Sequence, residues 1–92
     1  MHFLRWLGRL FKPPIFVVSL ENAHATALKG NLSVEFLADC ADLASKRGIS
    51  EGRLMGVWKS GAVVLEFSPE IPEEHHQAFR NLWGLYRRRH KR

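Results

Sequence analysis

The sequence has a single cysteine, Cys40, no uninterrupted apolar stretch of membrane-spanning length, and no glycine-rich loop set before a helix. A lone thiol has no internal partner, which excludes a disulfide-stapled secreted scaffold and suits a reducing, cytoplasmic setting. A membrane span needs roughly 20 consecutive apolar residues, and Arg5, Arg9 and Lys12 interrupt the first apolar segment. The same cations, with no small-residue cleavage pattern after them, argue against a signal peptide. Gly30, Gly48, Gly56, Gly61 and Gly84 fall at no phosphate-cradling spacing, so nucleotide binding has no motif behind it. No acid, base and nucleophile stand at a recognisable spacing either, and the expectation is a protein that is not an enzyme and takes no cofactor.

What is present is one domain's worth of chain with an uneven distribution of charge. Ninety-two residues bury too little surface to support two cores, while 46% hydrophobic and 25% charged residues are ordinary for a globular fold. The net charge of +5 comes from the ends. Residues 1–14 hold Arg5, Arg9 and Lys12 without an acid, and residues 87–92 hold Arg87, Arg88, Arg89, Lys91 and Arg92 without an acid. The six cations between them face all nine acids, so the middle is net negative. The basic character therefore describes two terminal segments and points to anionic partners for them.

The middle reads as strand, strand, helix, twice. Residues 15–20 are rich in β-branched and aromatic side chains, Glu21 and Asn22 suggest a turn, and 23–28 is the returning strand. Ser33 marks the start of a helix running to about Arg47, whose buried face would be Val34, Leu37, Ala38, Ala41 and Ala44, and Gly48 stops it. Residues 53–58 and 62–67 read as strands around a tight turn at Ser60 and Gly61, with Val63, Leu65 and Phe67 on one face. Pro72, Glu73 and Glu74 open a last helix, where Phe79, Leu82, Trp83 and Tyr86 share a stripe. Leu28, Leu32, Glu35 and Leu43 recur in pattern 39 residues later as Phe67, Ile71, Glu74 and Leu82. The expected fold is α+β: a four-stranded antiparallel sheet with two helices on one face, plus a short N-terminal amphipathic helix. Three segments follow, 1–12, a single domain over 15–86, and a basic tail over 87–92. The first strand is apolar on both sides, with Ile15 and Val17 opposite Phe16, Val18 and Leu20, so the N-terminal segment or a second subunit is expected to cover the face away from the helices.

The run Leu65, Glu66, Phe67, Ser68, Pro69, Glu70, Ile71, Pro72, followed by Gln77, Arg80, Asn81, Leu82 and Trp83 and preceded by Leu28, Lys29 and Gly30, resembles a family of short proteins of unknown function found mainly in gammaproteobacteria. The resemblance covers about 17–83 and is most specific over 67–83. It implies no activity. Members of that family often begin with a hydrophobic membrane-anchoring segment, from which the short N-terminus here departs by carrying three basic residues.

Two candidate contact regions emerge. In 1–12, His2, Arg5, Arg9 and Lys12 form a polar stripe while Phe3, Leu4, Trp6, Leu7, Leu10 and Phe11 fill the rest. Such a segment lies in the interface of an anionic membrane; the competing readings are docking on the protein's own sheet or a partner, and a disordered end, since isolated helices this short are marginal. In 87–92, Arg87, Arg88, Arg89, Lys91 and Arg92 suit a polyanion, nucleic acid included, or a solvated tail. His75 and His76 lack a ligand three or four residues away, so a metal site is not expected. His24 and Cys40 have no local signature of a nucleophile pair; Cys40 reads as a small core residue and His24 as strand surface. Trp58, Trp83 and Tyr86 read as core in preference to a ligand-stacking patch. The sequence thus predicts an interaction module, peripheral on the inner membrane or bound to a protein partner, self-associating as a two-fold dimer, with nucleic-acid binding as the alternative.

Overall fold

A computed structural model describes residues 13–89. The amphipathic helix expected over 1–12 and the last residues of the basic tail lie outside the described residues. The order is β1 (Phe16–Glu21), β2 (His24–Lys29), α1 (Val34–Lys46), β3 (Glu51–Lys59), β4 (Ala62–Phe67), a 3-10 turn (Glu73–His75) and α2 (His76–Arg89). The fold is the expected α+β arrangement, and the sheet is antiparallel with strand order β2-β1-β3-β4. The two ββα units therefore join along their first strands, β1 against β3, where Val18 faces Leu54 and Leu20 faces Gly52.

Local chemistry explains most boundaries. Both hairpins close on two residues with positive φ, Asn22 (48°) with Ala23 (67°) and Ser60 (51°) with Gly61 (82°). This is the backbone that lets a two-residue turn follow the twist of its strands. Because Asn22 and Ala23 both turn, β1 and β2 each sit one residue later than the sequence suggests. The Ser33 hydroxyl accepts from the Phe36 N–H at 3.1 Å, capping α1. Gly48 stops it at φ 69°. Pro72 leads into a single 3-10 turn before α2 proper begins, and α2 continues through Arg89, so the first cations of the basic tail occupy its last turn, which favours positive charge.

The core lies between the helices and one face of the sheet. Phe16, Val18 and Leu20 of β1, Leu54 of β3, and Leu65 and Phe67 of β4 meet Phe36, Cys40 and Ala44 of α1 and Phe79 of α2. Leu82, Trp83 and Tyr86 pack against this cluster as the stripe predicts. The expected face of α1 is corrected. Its buried residues are Phe36, Cys40 and Ala44, and Val34 is 78% exposed. The two stripes overlap at Ala44 and at Leu37, which packs against the core, but rotating the helix toward Phe36 and Leu43 buries far larger side chains than Val34, Ala38 and Ala41 offer, each worth about 1.5–3 kcal/mol when fully buried. The 39-residue pattern holds at Leu32 and Ile71, which both reach the core cluster. It fails at Leu28, which is exposed where Phe67 is buried. A bulge between Val17 and Val18 leaves Leu28 unpaired, and the ladder rejoins with it turned outward.

Gly56 leaves the space that the Phe16 ring occupies, and a Cβ at that position would lie within the ring's own volume. Gly56→Ala is expected to destabilise the fold by about 1–3 kcal/mol. Ala23→Gly should stabilise it by about 1 kcal/mol, because a left-handed alanine in a two-residue turn is strained. Urea unfolding of the two variants beside the parent checks both.

Candidate functional site

The described chain begins and ends at one end of the sheet, the end where Lys29 closes β2 and Lys59 closes β3. Ile15 follows two prolines, and its N–H donates to the Gly56 carbonyl at 2.7 Å, which fastens the entering chain beside the second half of β3. Phe16 then meets Trp83 of α2 at a ring-centroid distance of 5.1 Å. The Trp83 Nε1–H donates to the Val63 carbonyl at 3.1 Å, pinning the later turns of α2 over the same end of the sheet. Arg87 comes one turn after Trp83. Residues 1–12 and 87–92, which carry the excess positive charge, thus attach to one end of the molecule.

The surface of that end mixes cations with exposed apolar side chains. Lys29, Lys59 and Arg87 are exposed there, Lys59 with Glu66 3.8 Å away. Two apolar side chains stand among them, Ile15 at 45% and Trp58 at 49% exposure. Trp58 is a correction to the core reading: Trp83 and Tyr86 join Phe16 and Phe36 in an aromatic cluster, whereas Trp58, facing Val63 one rung before the Lys59–Ala62 end of the β3–β4 ladder, remains half open to solvent. Its place directly before Lys59 and the turn was the signal available in the sequence. The acids Glu35 and Asp39 belong to α1, and Asp39 is engaged by the Tyr86 hydroxyl, which donates to it at 2.6 Å. At the opposite end Glu21 and Glu51 face each other across β1 and β3, and a groove there gathers Arg47, Glu51, Glu70 and His75.

A cleft of about 180 Å³ opens between the helices, lined by Leu32, Ser33, Phe36, Trp83, Tyr86 and Arg87. Its floor is the aromatic cluster that holds α1 to α2, so those rings serve packing first. The three described histidines make local contacts. His76 stacks on Phe67 at 3.9 Å and 11°, and its Nε2–H donates to the Ile71 carbonyl at 2.9 Å. His75 approaches the Glu74 carboxylate at 3.4 Å, and His24 is exposed, its Nδ1 donating to the Asn22 carbonyl at 3.0 Å. Among the described residues no three His, Cys, Asp or Glu side chains gather as a metal-binding group. Among them, too, no helix is long and apolar enough to cross a membrane.

Cys40 is fully buried in the core, far from surface His24, so the two do not form a pair. Burial away from water, with a smaller contribution from the Asp39 charge, pushes its thiol from 9.0 up to about 12. The thiolate, the reactive form, is thereby suppressed.

The fold defines a small α+β domain built from two ββα units. The chain belongs to a family described as a protein of unknown function (DUF3634), whose model matches residues 9–92. That match bears out the resemblance to a family of unknown function. No curated protein and no solved structure matches the chain.

Because the folded state favours the neutral thiol, its contribution is complete below pH 9.0 and is lost as pH rises from there toward about 12. Stability should therefore fall by up to ~1.4 kcal/mol per pH unit over that window. Cys40→Ala should remove this part of the slope, as read by chemical unfolding at stepped pH.

Proposed function

We propose that the protein is a non-enzymatic interaction module that works peripherally at an anionic membrane surface, on the cytoplasmic side of the inner membrane. The observation that carries this reading is that the described chain starts and ends at the pole that exposes Ile15 and Trp58, so the cation-rich segments flanking it are joined to it there. Cations near an anionic leaflet contribute about 1 kcal/mol each, and an exposed tryptophan among them supplies the second, interfacial signal that stable association needs. Residues Phe3, Leu4, Arg5, Trp6, Leu7, Arg9, Leu10, Phe11 and Lys12 are the contact segment in this reading, with Arg87, Arg88, Arg89, Lys91 and Arg92 adding charge from the same end.

Co-sedimentation with vesicles of anionic and of neutral lipid tests it. The intact protein is expected to pellet with the anionic vesicles only, and less so at high salt. The triple variant Arg5→Glu, Arg9→Glu, Lys12→Glu should lose about 3 kcal/mol or more, at least about a hundredfold in apparent affinity. Equal binding to neutral vesicles, or none to either, would overturn the reading. Binding to DNA or RNA that falls with salt at a log–log slope near −4.5, and vanishes when the five terminal cations are replaced, would establish the nucleic-acid alternative instead.

A further inference from the structure

The sheet ends on β4, and the hydrogen bonds around that strand fix which of its backbone groups face outward. The Ser68 N–H donates to the Arg53 carbonyl at 3.0 Å, so Ser68 turns its backbone toward β3. In an antiparallel ladder that direction alternates from residue to residue. Glu66 and Val64 therefore also face β3, while Phe67, Leu65 and Val63 face away from it. The bond from Trp83 to the Val63 carbonyl agrees with this register, since its donor lies on α2. Among the described residues no strand pairs with the outer side of β4, which leaves the Leu65 N–H and carbonyl without a strand partner there. The edge at β2 is blunted by the bulge between Val17 and Val18; the β3–β4 ladder is regular throughout.

α2 runs antiparallel to β4 beside this edge, for Phe67 meets His76 and Phe79 while Val63 meets Trp83. Between them lies a groove of about 240 Å³ lined by Val63, Leu65, Arg80, Trp83, Gly84 and Arg87. Arg80 stands over the Phe67 ring at 5.3 Å, and Arg87 is exposed two helical turns further on. No acid lines the groove, and neither arginine forms an ion pair among the described residues. Gly84 sits between them in a helix interior, where glycine is less favourable than alanine. A Cβ at Gly84 would meet nothing within 4 Å, so the fold itself does not require glycine there.

We propose that an acidic, extended segment of another protein adds to the edge of β4, pairing with Leu65 and setting its carboxylates on Arg80 and Arg87. The edge selects a polypeptide. Leu65 offers both a donor and an acceptor, which a peptide backbone answers together, whereas phosphates supply acceptors alone. The arginines select negative charge. They stand about 10.5 Å apart along the helix axis, within side-chain reach of acids at positions i and i+4 of a strand, which are roughly 13 Å apart on one face. Gly84 leaves room between them for an apolar side chain at i+2. A second copy adding its own β4 would bring another Arg80 and Arg87 to the same groove, and like charges oppose that pairing. The docking edge does not depend on the membrane reading.

Amide NMR of the full-length chain, titrated in buffer without vesicles with a short peptide that repeats glutamate, threonine, valine, threonine, tests the edge. The Leu65 and Val63 signals are expected to shift and those of Ala25 and Ala27 on β2 to stay. Replacing the glutamates by lysine should weaken binding about tenfold or more. Every second peptide N–H faces β4, so N-methylating one alternate set should abolish binding and the other set should leave it. Gly84→Leu fills the groove with a good helix former, and is expected to lose about tenfold or more in affinity without lowering the urea midpoint of the free protein. Should it lower that midpoint, Arg80→Gln with Arg87→Gln is read instead and must weaken binding by about tenfold or more. No shift at Leu65, equal binding of the lysine peptide, indifference to both methylated sets, or full affinity in a folded Gly84→Leu would each overturn the proposal. So would Leu65 shifts that follow protein concentration without peptide, which assign the edge to a second copy.

Discussion

A sheet whose two central strands are apolar on both sides cannot be completed by helices on one side alone. That constraint organises this protein. β1 and β3 send Phe16, Val18, Leu20 and Leu54 toward the helices and Val17, Met55 and Val57 away from them. An antiparallel sheet with one wet face would carry polar residues in the second set. The inner layer is closed by Phe36 and Phe79, one from each helix, and the aromatic contacts among Phe16, Phe36, Trp83 and Tyr86 lock the helices to each other and to the first strand. Val17, Met55 and Val57 are nevertheless buried, although no described helix or strand packs on them.

The same geometry links packing to charge. Since Phe16 starts β1 and touches Trp83 near the end of α2, the chain enters and leaves the domain at neighbouring points. The described chain thus starts and ends near Lys29, Lys59 and Arg87, while Glu21, Glu51 and Glu70 lie at the other pole together with Arg47. The buried thiol and the stacked histidine belong to the core, and they shape stability instead of chemistry at that pole.

The sequence was most legible where local rules act alone. The Ser33 cap, the Ser60 and Gly61 turn, and the stripe of Phe79, Leu82, Trp83 and Tyr86 are short-range patterns, and the structure contains each of them. α1 was harder because apolar residues surround most of its circumference, so spacing alone admitted two faces and only the volume of Phe36 decides between them. Strand order was not legible at all, since joining β1 to β3 depends on a contact across some 35 residues with no turn to announce it. At the candidate site the cationic termini were plain from composition. Trp58 was not, because its exposure depends on β3 reaching past the helices, and the nearness of the two ends depends on Trp83 meeting Phe16.

The central claim is that the second face of the sheet is covered in the free protein, and Met55 reports on it most directly. The sequence has two methionines, so methyl-labelled protein gives a spectrum in which the Met55 signal is readily assigned. Adding a soluble paramagnetic agent should leave the Met55 methyl nearly unaffected while broadening the exposed methyls of Leu28 and Val34. Broadening of Met55 to the same degree as Val34 would show an open face and contradict the account.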